Sequence, residues 1–235
     1  MKINIWSDVR CPFCYIAKKN FEKALSQFEH KDEIEVTWKS YELDPELKTD
    51  TSISSLEYLA SNKRMPIQQV EQMFSQVKQM GKDVGLEMNM DDSIPANSKN
   101  AHRLTHLANS KSKEMADKLT EALFEAHFTD GKNIDDNQVL IDLGVKVGLD
   151  KKEIQELLDS DAFAYEVRQD QMEARNIGVS GVPFFVMHKK FAVSGAQPTE
   201  AFLNALKKSW HYYKEDEKPM QIISGNSCDV DGNCD

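Results

Sequence analysis

Ile3-Asn4-Ile5-Trp6-Ser7-Asp8-Val9-Arg10-Cys11-Pro12-Phe13-Cys14 is the stretch on which the fold turns. Ile3, Ile5 and Trp6 form a short strand that ends in the break Ser7-Asp8-Val9-Arg10. Past the cysteines, Ile16/Ala17, Phe21, Ala24/Leu25 and Phe28 recur at helical spacing, so a helix follows at once. Pro12 suits the first helical position, where a missing N–H costs nothing. Ile34, Val36 and Trp38 then alternate with Glu35, Thr37 and Lys39, the period of a half-buried strand. Strand, helix and strand at this spacing make a βαβ unit, whose crossover is right-handed and whose strands pair in parallel.

From about Asp44 to about Arg175 the pattern is helical almost throughout. One helix places Ile67, Val70, Met73/Phe74, Val77, Met80 and Val84 on a single face, with the methionines as core filler. A second uses Met115, Leu119, Ala122/Leu123 and Ala126. A third carries Val139/Leu140, Leu143 and Val147, with Asp135 and Gln138 resembling a capping box at its start and Gly148 at its end. Asp150 and Glu153 open a short helix containing Ile154, Leu157 and Leu158. Strand character returns at Val182–Met187 and Phe191–Ser194, two runs that predict an antiparallel hairpin. A last amphipathic helix begins near Pro198 and carries Phe202/Leu203, Leu206, Trp210 and Tyr213. Periodicity fades beyond Lys214. The element order is therefore βαβ, a long helical block, then ββα: an α/β fold interrupted by a large all-helical insertion.

Composition narrows the function classes. Of 235 residues, 40% are apolar and 29% charged, with only 10 Gly and 7 Pro, which excludes collagen-like, low-complexity and disordered chains. The longest apolar run, Val182–Met187, is six residues, against about 20 needed to span a bilayer. Met1-Lys2-Ile3-Asn4-Ile5-Trp6-Ser7-Asp8 carries Asn and Asp where a signal peptide needs an apolar stretch, so a cytoplasmic protein without membrane contact is expected. The net charge of −10 argues against a nucleic-acid partner. Four cysteines are too few for a disulfide scaffold. In a reducing compartment, closely spaced cysteines are catalytic or metal-binding more often than structural.

Cys11 and Cys14 sit where a strand meets a helix. A helix N-terminus offers unpaired N–H groups and a partial positive charge, which favour thiolate over thiol. Cys11, at the helix mouth, is the expected nucleophile, and Cys14, one turn inside, the expected resolving thiol. Two plainer readings are a zinc knuckle and a pair of inert cysteines. Zinc ribbons set their pairs some 15–20 residues apart, whereas Cys228 and Cys234 lie far down the chain, so no metal site is expected. Val182-Pro183 follows the loop Gly178-Val179-Ser180-Gly181 and opens a strand. With a cis bond beside Cys11, Val182 would offer its N–H and C=O to an extended peptide.

Taken in order, these residues resemble the thioredoxin superfamily, and the helical insertion points to its DsbA-like branch. The match is closer to FrnE-type disulfide oxidoreductases and covers nearly the whole chain. It rests on Ser7–Cys14, Tyr41-Glu42-Leu43-Asp44-Pro45, Asn97-Ser98, Ala101-His102-Arg103-Leu104, Gly178–Val186 and Val193-Ser194-Gly195-Ala196-Gln197. With the element order, this gives a thioredoxin-like domain in two segments, 1–44 and 176–214, and a helical insertion domain at 45–175, while the lost periodicity predicts a mobile tail at 215–235. The resemblance also implies dithiol–disulfide exchange through Cys11 and Cys14 on protein or small-molecule disulfides, with Pro183 cis and no bound cofactor. Phe13, Val182, Pro183 and His102 are the residues it places against substrate, although a satisfied helix histidine is the plainer reading of His102. Asp8 is open to two roles, a proton relay to Cys14 or a turn cap.

Some positions depart from the pattern. Strongly oxidising members carry His where Phe13 stands, so a milder oxidant than DsbA is implied, nearer the roughly −200 to −270 mV of glutaredoxins and thioredoxin. Pro12-Phe13 also looks like the Pro–aromatic dipeptide of glutaredoxins, which makes glutathione a thiol partner to consider. Kappa-class glutathione transferases and their isomerase relatives replace the nucleophilic cysteine by serine, and Cys11 argues against that class. A Cys-based metal-binding protein is the rival from outside enzymology. The tail ends in Cys228-Asp229-Val230-Asp231-Gly232-Asn233-Cys234. Such a tethered pair would reach Cys11 and Cys14 at an effective concentration of order mM and act as an accessory redox pair; the plainer reading is a solvated tail whose pair forms a private disulfide or none.

Overall fold

The computed structural model describes residues 1–216. One mixed sheet contains β1 (Lys2–Ser7), β2 (Glu35–Ser40), β3 (Phe184–Met187) and β4 (Phe191–Ser194), in the order β2-β1-β3-β4. β1 and β2 are parallel, with Ile3 opposite Val36 and Ile5 opposite Trp38, as a βαβ unit requires. β3 is antiparallel to β1, and β4 is antiparallel to β3. Pairing in the hairpin begins at Phe184 rather than at Val182. Pro183 has no N–H to give to a ladder.

α1 (Pro12–Ser26) and α9 (Thr199–Asp216) cover one face of the sheet, where Ile3, Ile5, Phe185 and Met187 meet Phe21, Phe202 and Leu206. Phe21, Phe185 and Phe202 pack edge to face or tilted, with centroids 4.6, 5.3 and 5.7 Å apart. Full burial of each such side chain contributes about 1.5–3 kcal/mol, and this cluster fixes α1 on the sheet. α9 continues past Lys214 to Asp216, whose carboxylate takes His188 at 2.8 Å and Lys190 at the hairpin turn.

The helical insertion between β2 and β3 comprises α2 (Ser55–Lys63), α3 (Ile67–Asp83), α4 (Lys99–Lys111), α5 (Lys113–Phe128), α6 (Asn137–Lys146), α7 (Lys151–Leu158) and α8 (Ala164–Asn176). α3 buries most of the face that its apolar spacing suggests. Val70, Phe74, Val77 and Gly81 are buried, whereas Ile67 and Met80 are exposed. The chain after α3 folds back on Gly81, where an added Cβ would stand 2.8 Å from Met88 Sδ, so that side of the helix is the inner one. α6 is capped by Asp136, which accepts the Gln138 and Val139 N–H groups at 2.8 and 3.0 Å. Asp135, the cap expected from the sequence, instead accepts the Thr49 hydroxyl. Asp150 caps α7 as its spacing suggests.

Two polar clusters fasten the insertion to the sheet. Lys18 of α1 is fully buried against Glu22 of its own helix and Glu121 and Asp117 of α5, the latter two at 3.0 and 3.4 Å. Asp170 of α8, also buried, binds Lys39 at 2.8 Å, the Ser40 N–H at 2.8 Å and His106 Nε2 at 3.0 Å. Its main-chain oxygen accepts the Trp6 indole N–H at 2.9 Å. One aspartate thereby joins α8 and α4 to two neighbouring strands.

Candidate active site

β1 ends at Ser7, and the chain turns over Asp8-Val9-Arg10 into α1. Asp8 is fully buried and sets this turn. Its main-chain oxygen accepts the Cys11 N–H at 3.0 Å, Oδ1 the Arg10 N–H at 3.1 Å and Oδ2 the Leu43 N–H at 2.8 Å. Burial would raise its pKa, but His102, the Leu43 N–H and the Arg10 charge prevail and hold the carboxyl below its ordinary value. With both oxygens engaged by main-chain donors, Asp8 is the turn cap.

Cys11 occupies the N-cap of α1 in extended backbone, and its side chain makes no capping bond. Pro12 takes the first helical position. Cys11 Sγ lies 3.5 Å from the Val182 carbonyl oxygen. The Val182–Pro183 bond is cis, and the Pro183 oxygen accepts the Gly195 N–H at 2.9 Å. Gly195 makes that bond with φ at +78°, a conformation that favours glycine. The Cys14 N–H donates to the Cys11 oxygen at 3.0 Å, and Cys14 is buried one turn in. Both cysteines are free thiols. Burial pushes the Cys14 thiol well up, and its hydrogen bond to Cys11 and the Cys11 charge push it further, against weaker pulls from Ser7 and the Asp8 backbone. Cys14 is therefore the thiol that stays protonated.

Cys11 and Phe13 open onto a cavity of about 410 Å³ that Val182 also borders. That volume lies within the range of small-molecule sites. α2 and α3 wall it with Tyr58, Leu59, Met73, Phe74 and Val77. Phe13 is among the exposed large apolar side chains of the chain.

His102, expected to line this groove, does not. It is buried on α4, with Nε2 3.5 Å from Asp8 Oδ1, beside Ser7 and Thr105 around a second, much smaller cavity. The histidine that borders the main cavity is His127 of α5, which the sequence did not single out. Burial, aided by the Arg10 charge and opposed by Asp8, pushes its pKa down to about 4, so its ring is neutral at pH 7. Arg10 and Tyr58 were missed as well. Arg10 directly precedes Cys11, a placement that could have marked it; nothing local to Tyr58 brings it to the site. Cys228 and Cys234 lie outside the described residues. Among the described residues, no group of three or more His, Cys, Asp or Glu side chains is placed to hold a metal ion. Nor is any helix there long and apolar enough to cross a membrane.

Comparison with known proteins identifies the family. Residues 2–207 match the family model of the DSBA-like thioredoxin domain. A solved structure described as a probable DsbA oxidoreductase from Streptomyces coelicolor is 34% identical, with a TM-score of 0.85 over 100% of this chain and 98% of that one. YwbO of Bacillus subtilis (strain 168) is 25% identical over 213 residues, 87% of this chain and 94% of that protein. A 2-hydroxychromene-2-carboxylate isomerase is 15% identical with a TM-score of 0.68, over 93% of this chain and 100% of that one, a likeness of fold alone. The chain belongs to the DsbA-like thioredoxin-domain family of thiol–disulfide oxidoreductases.

Proposed function

We propose that this chain exchanges disulfides through Cys11 as the attacking thiolate and Cys14 as the resolving thiol, on disulfides of proteins or small molecules, with glutathione as a thiol partner. The observation that carries this reading is the unlike surroundings of two sulfurs that are both buried: Cys11 borders the cavity, while Cys14 does not and its thiol is pushed well up. In the reducing direction the Cys11 thiolate bonds to one substrate sulfur, the substrate S–S bond breaks, and the departing thiolate takes a proton from solvent. Cys14 then gives up its proton and bonds to Cys11, releasing the second thiol. The substrate gains two electrons and the Cys11–Cys14 pair loses two. Run backwards, the same steps oxidise a dithiol. Val182 and Pro183 would line up an extended substrate beside Cys11, with Phe13 as an apolar rest for it. A transferase or isomerase of the same fold has no need for a resolving thiol.

Trapping tests the assignment. In Cys14→Ser the attacking thiol survives but nothing releases it, so mixed disulfides on Cys11 should accumulate and be visible by mass on the intact protein. A Cys14→Ser protein that turns over normally and traps nothing would remove Cys14 from the reaction.

A further inference from the structure

We propose that Arg10 makes the exchange site charge-selective, favouring disulfides that carry a carboxylate within a few bonds of the reacting sulfur. This rests on the exchange reading above and goes beyond it by naming the substrate class. Arg10 precedes Cys11 in the chain, and both border the same cavity. The main chain of Arg10 is fixed by its N–H bond to Asp8. Its guanidinium stands 5.7 Å from the centroid of the Tyr58 ring, and Tyr58 is itself held by a 2.5 Å bond from its hydroxyl to Asp44 Oδ2. The side chain is thus held at both ends.

One of its donors is idle. Arg10 Nη1 is buried and has no hydrogen-bond partner. A buried donor left without an acceptor is costly and rare in native proteins. A small shift of the side chain, which already borders the cavity, would bring this donor to an anion seated there and supply the missing acceptor.

The charge around the cavity points the same way. The chain as a whole carries −10. Yet the cavity is bordered by Arg10 and Lys63 against a single carboxylate, Asp44, which already accepts the Tyr58 hydroxyl. His127 is the remaining basic group on the wall, and it is neutral. Much of the rest is apolar, including Leu59, Phe74 and Val77. A charge-assisted bond formed against such a wall is less screened than at an open surface, so it discriminates strongly between substrates of unlike charge. The cavity is too small for a folded element and suits a small disulfide, or one or two side chains flanking a cysteine.

Arg10 could instead act only by stabilising the Cys11 thiolate, and the two roles separate cleanly. A thiolate effect changes the rate with every disulfide alike; recognition changes the order among them. The pre-reduced full chain is mixed in single turnover with three disulfides of similar size: dithiodipropionate (anionic), hydroxyethyl disulfide (neutral) and cystamine (cationic). Oxidation is followed at the Cys11–Cys14 peptides after acid quench. The anionic disulfide should react about tenfold or more faster than the neutral one, through tighter binding rather than a faster limiting rate, and the cationic one slowest. Arg10→Gln should flatten this order, and Arg10→Lys should restore part of it, since lysine keeps the charge but not the fork. Equal rates for all three disulfides with the natural protein would overturn the inference while leaving the exchange reading intact. So would an Arg10→Gln protein that slows all three by one factor. Failure of the natural protein to react with any of them would overturn both.

Discussion

Cys11→Ser should reduce the rate of disulfide reduction by about 10³-fold or more, to the background of uncatalysed exchange, with the fold unchanged. The reason is chemical rather than steric. A serine hydroxyl at the helix N-cap remains a hydroxyl at neutral pH, while exchange requires a thiolate. Serine fits the position, since it is among the preferred N-cap residues. The thermal midpoint should therefore stay put while activity vanishes. Insulin reduction and a melting curve on the same sample check both halves. Substantial activity in Cys11→Ser would move the nucleophile elsewhere.

The second large effect is on stability. Asp170→Ala removes the carboxylate that Lys39, His106 and the Ser40 N–H share, leaving the buried Ser40 N–H without its acceptor and Lys39 with only the more exposed Glu173 at 3.0 Å. Breaking a buried pair of this kind costs about 3 kcal/mol, or a midpoint lower by about 6–12 °C in a chain of this size. The pH dependence has a definite sign. Burial alone would raise the Asp170 pKa, but His106, Lys39 and the Ser40 N–H hold it below the ordinary carboxylate value. A group depressed in the folded state stabilises fully above its unfolded pKa, and that stabilisation is lost as pH falls through the folded one. The gap between the natural protein and Asp170→Ala should thus be complete at pH 7 and close as pH drops below about 4. Chemical denaturation at pH 7 and pH 3 measures it. A gap unchanged at pH 3 would mean that the carboxylate charge contributes nothing.

Much of this architecture is legible in the sequence because it is local. The period-two runs around Ile5 and Trp38 become β1 and β2 in parallel register, and Pro12 marks the start of α1. The same placement puts Cys11 at the helix mouth and Cys14 within it. What sequence does not disclose is long-range. His102 and His127 lie on consecutive helices, and spacing does not say which of them faces the cavity; the packing of α4 against Asp8 decides it. Tyr58 comes from α2, where Ala60 is the one buried residue, so the apolar pattern that reveals other helices is weak there. Asp170 reads as one charge among many in Glu166-Val167-Arg168-Gln169-Asp170, and becomes a buried hub only when β2 and α4 close on it. Met80 shows the opposite failure, since its spacing promises burial, yet the returning chain packs on its neighbour Gly81 and Met80 is left exposed.

The central claim is that the two sulfurs of Cys11-Pro12-Phe13-Cys14 are unlike, one poised to attack and the other held as a thiol. Competitive alkylation tests it most directly. The fully reduced protein, at neutral pH and with less iodoacetamide than thiol, is quenched at intervals and mapped by peptide mass. Cys11 should be alkylated at least about tenfold faster than Cys14, because only a thiolate reacts and the Cys14 thiol is pushed up by burial and by its neighbour. Modification of Cys14 first, or of both cysteines at one rate, would contradict the account.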